Sequence, residues 1–238
     1  MTRAQNRRLD ELRNMTIEHP AFGYGEGSCL ISMGRTIVLC NASITDGVPR
    51  FLKDKNQGWL TAEYAMLPRS THTRNDRESA RGKQAARSIE IQRLISRALR
   101  QSIDLKLLGE RTIQVDCDVL QADGGTRVAA INGGMVALVL ALRQLQYEKT
   151  LAQDPLRHMI SAVSVGFKND DCYLDLDYEE DHTIDVDLNL IMNDQNHIIE
   201  IQGTAEDHPI NKTQLHAMVD LAEHGIQSIR QAQEKALS

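Results

Sequence analysis

Little in this chain of 238 residues marks a metal, thiol or serine enzyme. Its four cysteines, Cys29, Cys40, Cys117 and Cys172, form no C-x-x-C pair. Three of them fall in alternating, strand-like runs where a small thiol packs as a core residue, so they read as reduced and buried. Neither H-E-x-x-H nor G-x-S-x-G occurs, which removes the usual signatures of a zinc site and of an activated serine. Also missing are G-x-x-x-x-G-K-[ST] and G-x-G-x-x-G, so an anion bound here is held by some other device. The longest uninterrupted apolar run, Met135 to Leu142, is far shorter than the roughly 20 residues that span a bilayer. No signal-peptide apolar segment opens the sequence either. The expectations are no membrane partner and cytoplasmic residence.

A hydrophobic content of 41% at this length suffices for one large core or two packed subdomains. The net charge of −6 conceals a polarity along the chain. Between Arg69 and Arg100 there are nine lysines and arginines against three acids, a local excess of six positive charges that leaves −12 on the rest. Arg3, Arg7, Arg8 and Arg13 form a second basic group. Cations kept in two blocks on an acidic protein suggest a track for a polyanion, although a long helix with a solvated arginine face gives the same pattern.

Residues 121 to 127, Gln-Ala-Asp-Gly-Gly-Thr-Arg, join a strand-like run to an apolar helix-like run. Two glycines permit close backbone approach, Thr126 offers a hydroxyl, Arg127 a forked cation and the helix start its unpaired N–H groups, which together suit a phosphate. Asp-Gly-Gly is equally an ordinary strand-to-helix turn, and spacing leaves both readings open.

Period-two patterns predict a hairpin over Gly27 to Ile31 and Thr36 to Ser43, then strands at Trp59 to Met66 and Thr112 to Leu120. Four more are predicted at Met159 to Phe167, Cys172 to Tyr178, Thr183 to Met192 and Ile198 to Gln202. Helices are predicted from Arg77 to Ile103, with Ile91, Leu94, Ile95, Ala98 and Leu99 on one stripe, and over Val128 to Leu142, which is apolar or small all round. A last helix is predicted from about Asn211, where Asn-Lys-Thr-Gln resembles a capping box. Strands followed by helices in both halves predict an α+β protein, with a boundary in the polar connection Glu148 to Pro155. The resulting units are 1–150 and 156–238.

From Asp170 to Asp187 nine of eighteen residues are acidic. Alternation puts Asp185, Asp187 and Asn189 on one strand face, where repulsion between carboxylates is relieved by a divalent cation or a proton. An acidic edge that discourages sheet aggregation explains the stretch as well.

Several long segments in order resemble the bacterial ribonuclease PH family. They are Gly58-Trp-Leu-Thr-Ala-Glu-Tyr-Ala-Met-Leu-Pro-Arg69, Arg81-Gly-Lys-Gln-Ala-Ala-Arg-Ser-Ile-Glu-Ile-Gln-Arg-Leu-Ile-Ser-Arg-Ala-Leu99 and Asp116-Cys-Asp-Val-Leu-Gln-Ala-Asp-Gly-Gly-Thr-Arg127, then Ser161-Ala-Val-Ser-Val-Gly166 and Glu200-Ile-Gln-Gly-Thr-Ala-Glu206. The resemblance runs from the N-terminal arginines to the final helix. It implies the ribosomal protein S5 domain 2-like fold, with mixed sheets packed by helices in two related α+β halves. It also implies a phosphate-dependent 3′ to 5′ exoribonuclease, a tRNA nucleotidyltransferase, that trims tRNA precursors and other structured RNA 3′ ends. In such a reaction inorganic phosphate attacks the terminal phosphodiester and a nucleoside 5′-diphosphate leaves; the reverse reaction adds nucleotides.

By the same resemblance Arg87, Gly125, Thr126 and Arg127 hold the phosphate. Asp181 and Asp187 serve catalysis together with Arg87, and the two aspartates hold Mg²⁺. Arg69, Arg74 and Arg77 contact tRNA, and the chains assemble as a homo-hexamer, a trimer of dimers. Three positions depart from the pattern: Ala85-Ala86 stand where glycines are usual, Asn132 replaces a threonine and His182 replaces a serine. The two alanines are expected to tighten the phosphate pocket. Two other functions compete: a ring subunit of the same fold that binds RNA without cutting it, and a two-metal hydrolytic nuclease. The arginines and Gly-Thr-Arg argue against the latter, because attacking water needs no anion cradle.

Overall fold

Alternating apolar residues build the first sheet of the computed structural model, which describes residues 3–206 and 208–238. Its strands are β1 (Met15–Glu18), β2 (Gly27–Met33), β3 (Thr36–Asp46), β4 (Trp59–Met66) and β5 (Arg111–Gln121), in the order β1-β2-β3-β5-β4. β2 and β3 form the expected hairpin, with Gly34 at φ +59° in the tight turn. β4 runs parallel to β5, so the sheet is mixed. Ile113, Val115, Cys117 and Val119 all point into the core, as their spacing requires. Cys29, Cys40 and Cys117 lie side by side across three strands, buried and free.

Between β4 and β5 come α1 (Glu78–Arg81), α2 (Ala86–Arg100) and the short α3 (Leu105–Leu108). The single helix expected from Arg77 to Ile103 is therefore two helices. Gly82 closes α1 in the left-handed region at φ +69°, and α1 buries no residue that would hold it in line with α2. The expected stripe does bury: Ile91, Leu94, Ile95, Ala98 and Leu99 pack α2 against β4.

α4 (Thr126–Tyr147) separates the two sheets, touching β2 and β3 on one side and β6 on the other. By length and composition it could cross a membrane, yet 83% of its most apolar window is covered by the fold. Each Leu or Ile so buried contributes about 1.5–3 kcal/mol relative to exposure. Its one fully buried amide, Asn132, is satisfied: it donates to the Ala162 carbonyl and accepts from the Ala162 N–H, both at 2.8 Å. Gln233 of the last helix donates to the Asn132 carbonyl at 3.0 Å. The side chain that departs from the pattern thus ties α4 to β6, while the backbone carbonyl of the same residue holds α6.

The second sheet has the order β7-β6-β8-β9, from β6 (Ile160–Lys168), β7 (Asp171–Leu174), β8 (Val186–Asn193) and β9 (Ile198–Ala205). β7 ends three residues after its start, short of the expected Tyr178. Asp175 sits at φ +55° with its carboxylate engaged by Arg13, and Asp177 caps the short helix α5 (Tyr178–Asp181) with a capping box through Glu180. β8 likewise starts at Val186, leaving Asp185 outside the strand. α6 (Lys212–Leu237) begins at the expected Asn211 capping box and packs on β6, β7 and β1. The edge strand β1 and the Asp104-capped α3 carry too short a pattern to be read from the sequence.

Candidate active site

The loop 121–127 is fixed from both halves of the molecule. Gly124 and Gly125 adopt φ +76° and +64°, and a Cβ at Gly124 would lie 2.6 Å from the Leu176 carbonyl oxygen. Thr36 donates to the Gly124 carbonyl at 2.6 Å, and Arg13 Nη1 donates to the Asp123 carbonyl at 2.6 Å. Gly125 caps α4 without a side-chain acceptor, so the first N–H groups of that long helix face outward. Thr126 Oγ1 accepts from Tyr64 Oη at 2.9 Å, which leaves the threonine proton available to a ligand. Tyr64 was not among the residues singled out, although it stands in the family-like segment ending at Arg69.

A small polar cavity of about 60 Å³ opens in front of this helix start. The structure brings Arg87, Gly125, Thr126, Arg127, Asp181 and Asp187 together around it, with Ser164 and Asn189. Arg127 is largely buried and is held by Glu90 at 3.3 Å and by the Gln202 amide oxygen. Gln202 in turn donates to Glu90 at 3.0 Å. Arg87, in the first turn of α2, is exposed. Ala85 and Ala86 do not line this cavity, and Ala85 has an ordinary extended backbone with φ −69°. Any effect of the two alanines on the pocket is thus exerted through the start of α2 and Arg87, not by direct contact.

The acidic side comes from the second half. Burial, then the charge of Asp181, pushes the Asp187 carboxyl up to about 6, with Arg127 and the Asn189 amide opposing the rise. Asp187 Oδ2 accepts from Asn189 Nδ2 at 3.2 Å, whereas the buried Oδ1 has no hydrogen-bond partner. Asp181 stands at the mouth, open to solvent on one side and backed by protein on the other. Partial desolvation raises its carboxyl above the ordinary value against the pull of Arg87 and Arg127. Asp185 does not line the cavity, so the expected face of three keeps only Asp187 and Asn189 at the site.

An orphaned acceptor beside a second carboxylate fits Mg²⁺, which usually takes one or two carboxylates and completes its shell with water and phosphate oxygens. Among the described residues no group of three or more His, Cys, Asp or Glu could hold an ion unaided.

The basic blocks divide by use. Arg3, Arg7 and Arg13 are buried, not displayed as a track. Arg3 Nε pairs with Glu180 at 2.6 Å, Arg7 Nη2 with Glu180 at 3.2 Å and Arg13 Nη2 with Asp175 at 2.7 Å. These arginines neutralise Asp175 and Glu180 of the acidic stretch, and Arg13 pins that turn beside the Gly-Gly loop. Of the N-terminal four, Arg8 alone is exposed, paired with Asp10. On α2, Arg97 pairs with Glu200 at 2.6 Å, and Arg100 lies over the Trp59 ring at 4.6 Å. Arg69, Arg74 and Arg77 are exposed in the loop after β4, with Arg74 3.0 Å from Asp76, and none lines the small cavity.

A family model described as the 3′ exoribonuclease family, domain 1, matches residues 11–144, and its domain 2 matches 158–225. The chain belongs to the 3′ exoribonuclease (RNase PH) family. Solved structures of the same fold include a rice (Oryza sativa) Rrp46, with 18% identity, TM-score 0.80 and coverage of 99% of this chain and 100% of that one. A chain of the Archaeoglobus fulgidus exosome with RNA bound to its active site gives 21%, 0.79, 96% and 91% in the same order. A chain of an archaeal exosome core gives 19%, 0.74, 98% and 91%. This phosphorolytic exoribonuclease family and its fold account for the cavity at the seam, since each domain supplies one side of it: arginines and Gly-Thr-Arg from domain 1, aspartates from domain 2.

Proposed function

We propose that this RNase PH family chain is a phosphate-dependent 3′ to 5′ exoribonuclease acting on tRNA precursors. The observation that carries the reading is the convergence of Arg87, Thr126, Arg127, Asp181 and Asp187 on one small cavity. Phosphate is already a nucleophile, so no activated serine or cysteine is needed; the obstacle is bringing two anions together. Arg127, Arg87 and the N–H groups of α4 offset that repulsion, a well-placed donor of this kind being worth about 3 kcal/mol in the barrier. A phosphate oxygen bonds to the terminal phosphorus as the bond from that phosphorus to the upstream 3′-oxygen breaks. The phosphorus stays on the terminal nucleotide, which leaves as a nucleoside 5′-diphosphate, and the upstream 3′-oxygen takes up a proton at the aspartate side. Asp181 and Asp187 would hold Mg²⁺, which would supply positive charge to the reacting phosphates. The exposed Arg69, Arg74 and Arg77 would contact the tRNA body, and a hexameric ring is the assembly that the family resemblance implies.

The solved structures weigh toward a second reading. They include Rrp46 and exosome-core chains, and a ring subunit that binds RNA without cutting it accounts for those likenesses better than an active enzyme does. One experiment separates the two. Purified protein with Mg²⁺ and a 3′-extended tRNA should release nucleoside diphosphates only when phosphate is present. Binding without release favours the inert subunit, and monophosphates formed without phosphate refute phosphorolysis.

A further inference from the structure

Beside the phosphate cavity lies a larger one of about 540 Å³, and the two share Arg87, Gly125, Thr126 and Asp181. Whatever occupies the larger space is therefore one short linkage from a phosphorus atom at the smaller. Its walls carry a feature that the phosphate chemistry does not use. Tyr178, the first residue of α5, leaves 46% of its surface exposed. Its ring lies parallel to that of His182, with 4° between planes and centroids 6.3 Å apart. His72, from the loop after β4, approaches it at 5.7 Å and 57°. Tyr178 and His72 line the cavity from two separate segments, His182 backs the Tyr178 ring, and none of the three is buried. His182, a departure from the usual serine, is one of them.

We propose that Tyr178, supported by His72 and His182, is the platform on which the base of the RNA's 3′-terminal nucleotide stacks. This rests on the phosphate site being where the terminal phosphodiester binds. Of the two nucleosides flanking the reacting phosphorus, the terminal one needs room only for itself, which a cavity of about 540 Å³ provides. Stacking accepts any base, because every base has a π face, and trimming of varied 3′ ends requires that tolerance. Met66 and Ala122 add apolar surface to the same cavity, and Thr71, Thr73 and Asn75 offer polar groups to a sugar or base edge.

The test uses the full chain and a short RNA with 2-aminopurine at its 3′ end, bound without phosphate so that turnover does not intervene. Wild-type protein should quench the probe, Tyr178→Phe should keep the quenching, and Tyr178→Ala should lose it and bind about tenfold more weakly. An RNA whose last nucleotide is abasic should bind wild type about tenfold more weakly and bind Tyr178→Ala with no further loss, as a shared interaction requires. Tyr178→Ala that matches wild type in quenching and affinity overturns the assignment, as does an additive abasic penalty. Quenching that depends on Tyr178 in a protein that releases no diphosphates would support the platform and refute the enzyme reading.

Discussion

Replacing Arg13 by methionine should damage both stability and phosphate binding, although Arg13 does not line the phosphate cavity. Its side chain is 4% exposed and that of Asp175 is 0%. Asp175 accepts from the Arg13 backbone N–H at 2.8 Å, from Nε at 3.1 Å and from Nη2 at 2.7 Å. The Asp175 charge and hydrogen bonds outweigh the cost of burying the guanidinium, and Arg13 is held above the ordinary arginine value. Methionine keeps much of the stem's packing but leaves a buried carboxylate with only the backbone N–H. Removing one partner of such a pair costs about 3–5 kcal/mol, far more than an exposed ion pair contributes. For a chain of this size that corresponds to a fall in Tm of roughly 6–20 °C. Urea unfolding at fixed protein concentration should show the lower midpoint with little change in slope. The double variant Arg13→Met, Asp175→Leu should recover much of the loss, because no charge is then stranded. Arg13 also donates to the Asp123 carbonyl at 2.6 Å, so both variants should bind phosphate more weakly than wild type. A single variant within 1 kcal/mol of wild type, or a double variant no better than the single, would show that the pair does not act as a buried clamp.

Two further outcomes follow from the same neighbourhood. Gly124→Ala combines φ +76° with a Cβ 2.6 Å from backbone atoms of Leu176 and Asp177, so it should cost well over about 1 kcal/mol and abolish phosphate binding. Gly47→Ala, at φ +92° with nothing within 4 Å, should leave binding intact; equal effects on binding would remove the packing argument. Glu180 sets an acid limit. Burial alone would raise its carboxyl, but hydrogen bonds from Arg3 and the Asp177 N–H, with the charges of Arg3 and Arg7, bring it below its ordinary value of 4.5. A depressed carboxylate contributes stability that is complete above the unfolded value and lost as pH falls through the folded one. Urea midpoints should therefore decline below about pH 4.5, and less steeply in Glu180→Gln. An identical decline in that variant would place the acid sensitivity elsewhere.

Local pattern made most of the architecture legible. β4 ends where its alternation ends, α6 starts at its capping box, and the Gly-Gly-Thr-Arg turn opens α4 as the change of period requires. The misreadings share a cause, which is that a distant partner decided the local structure. Residues 172–178 look like one strand, but Arg13, 162 positions earlier in sequence from Asp175, captures that carboxylate and turns the chain. Arg3 and Arg7 look like surface cations because their partner is remote in sequence: Glu180 engages both from the other half of the chain. Tyr64 and Gln202 went unremarked for the same reason, since a residue's duty toward Thr126 or Arg127 is visible only once their strands are placed. Gly82 is different, because its signal is local: a glycine inside a helical pattern that closes α1.

The arrangement of charge explains why the site sits at the seam of two domains. A pocket for phosphate needs donors, and one for the departing oxygen needs an acid or a cation beside it. Placed on one element, these groups would neutralise one another before any substrate arrived. Here Thr126, Arg127 and Arg87 belong to domain 1, while Asp181 and Asp187 belong to domain 2. Arg127 is hydrogen-bonded to Glu90 and Gln202 and reaches Asp181 and Asp187 only through its charge, while Asp187 keeps an oxygen without a partner. The domain 2 turn is fixed against the Gly-Gly loop by Arg13, which pairs with Asp175 and donates to the Asp123 carbonyl, and Arg3 pins Glu180 of the same turn. Those pairs are buried and matched within themselves, and so they fix the turn without competing for what enters the cavity.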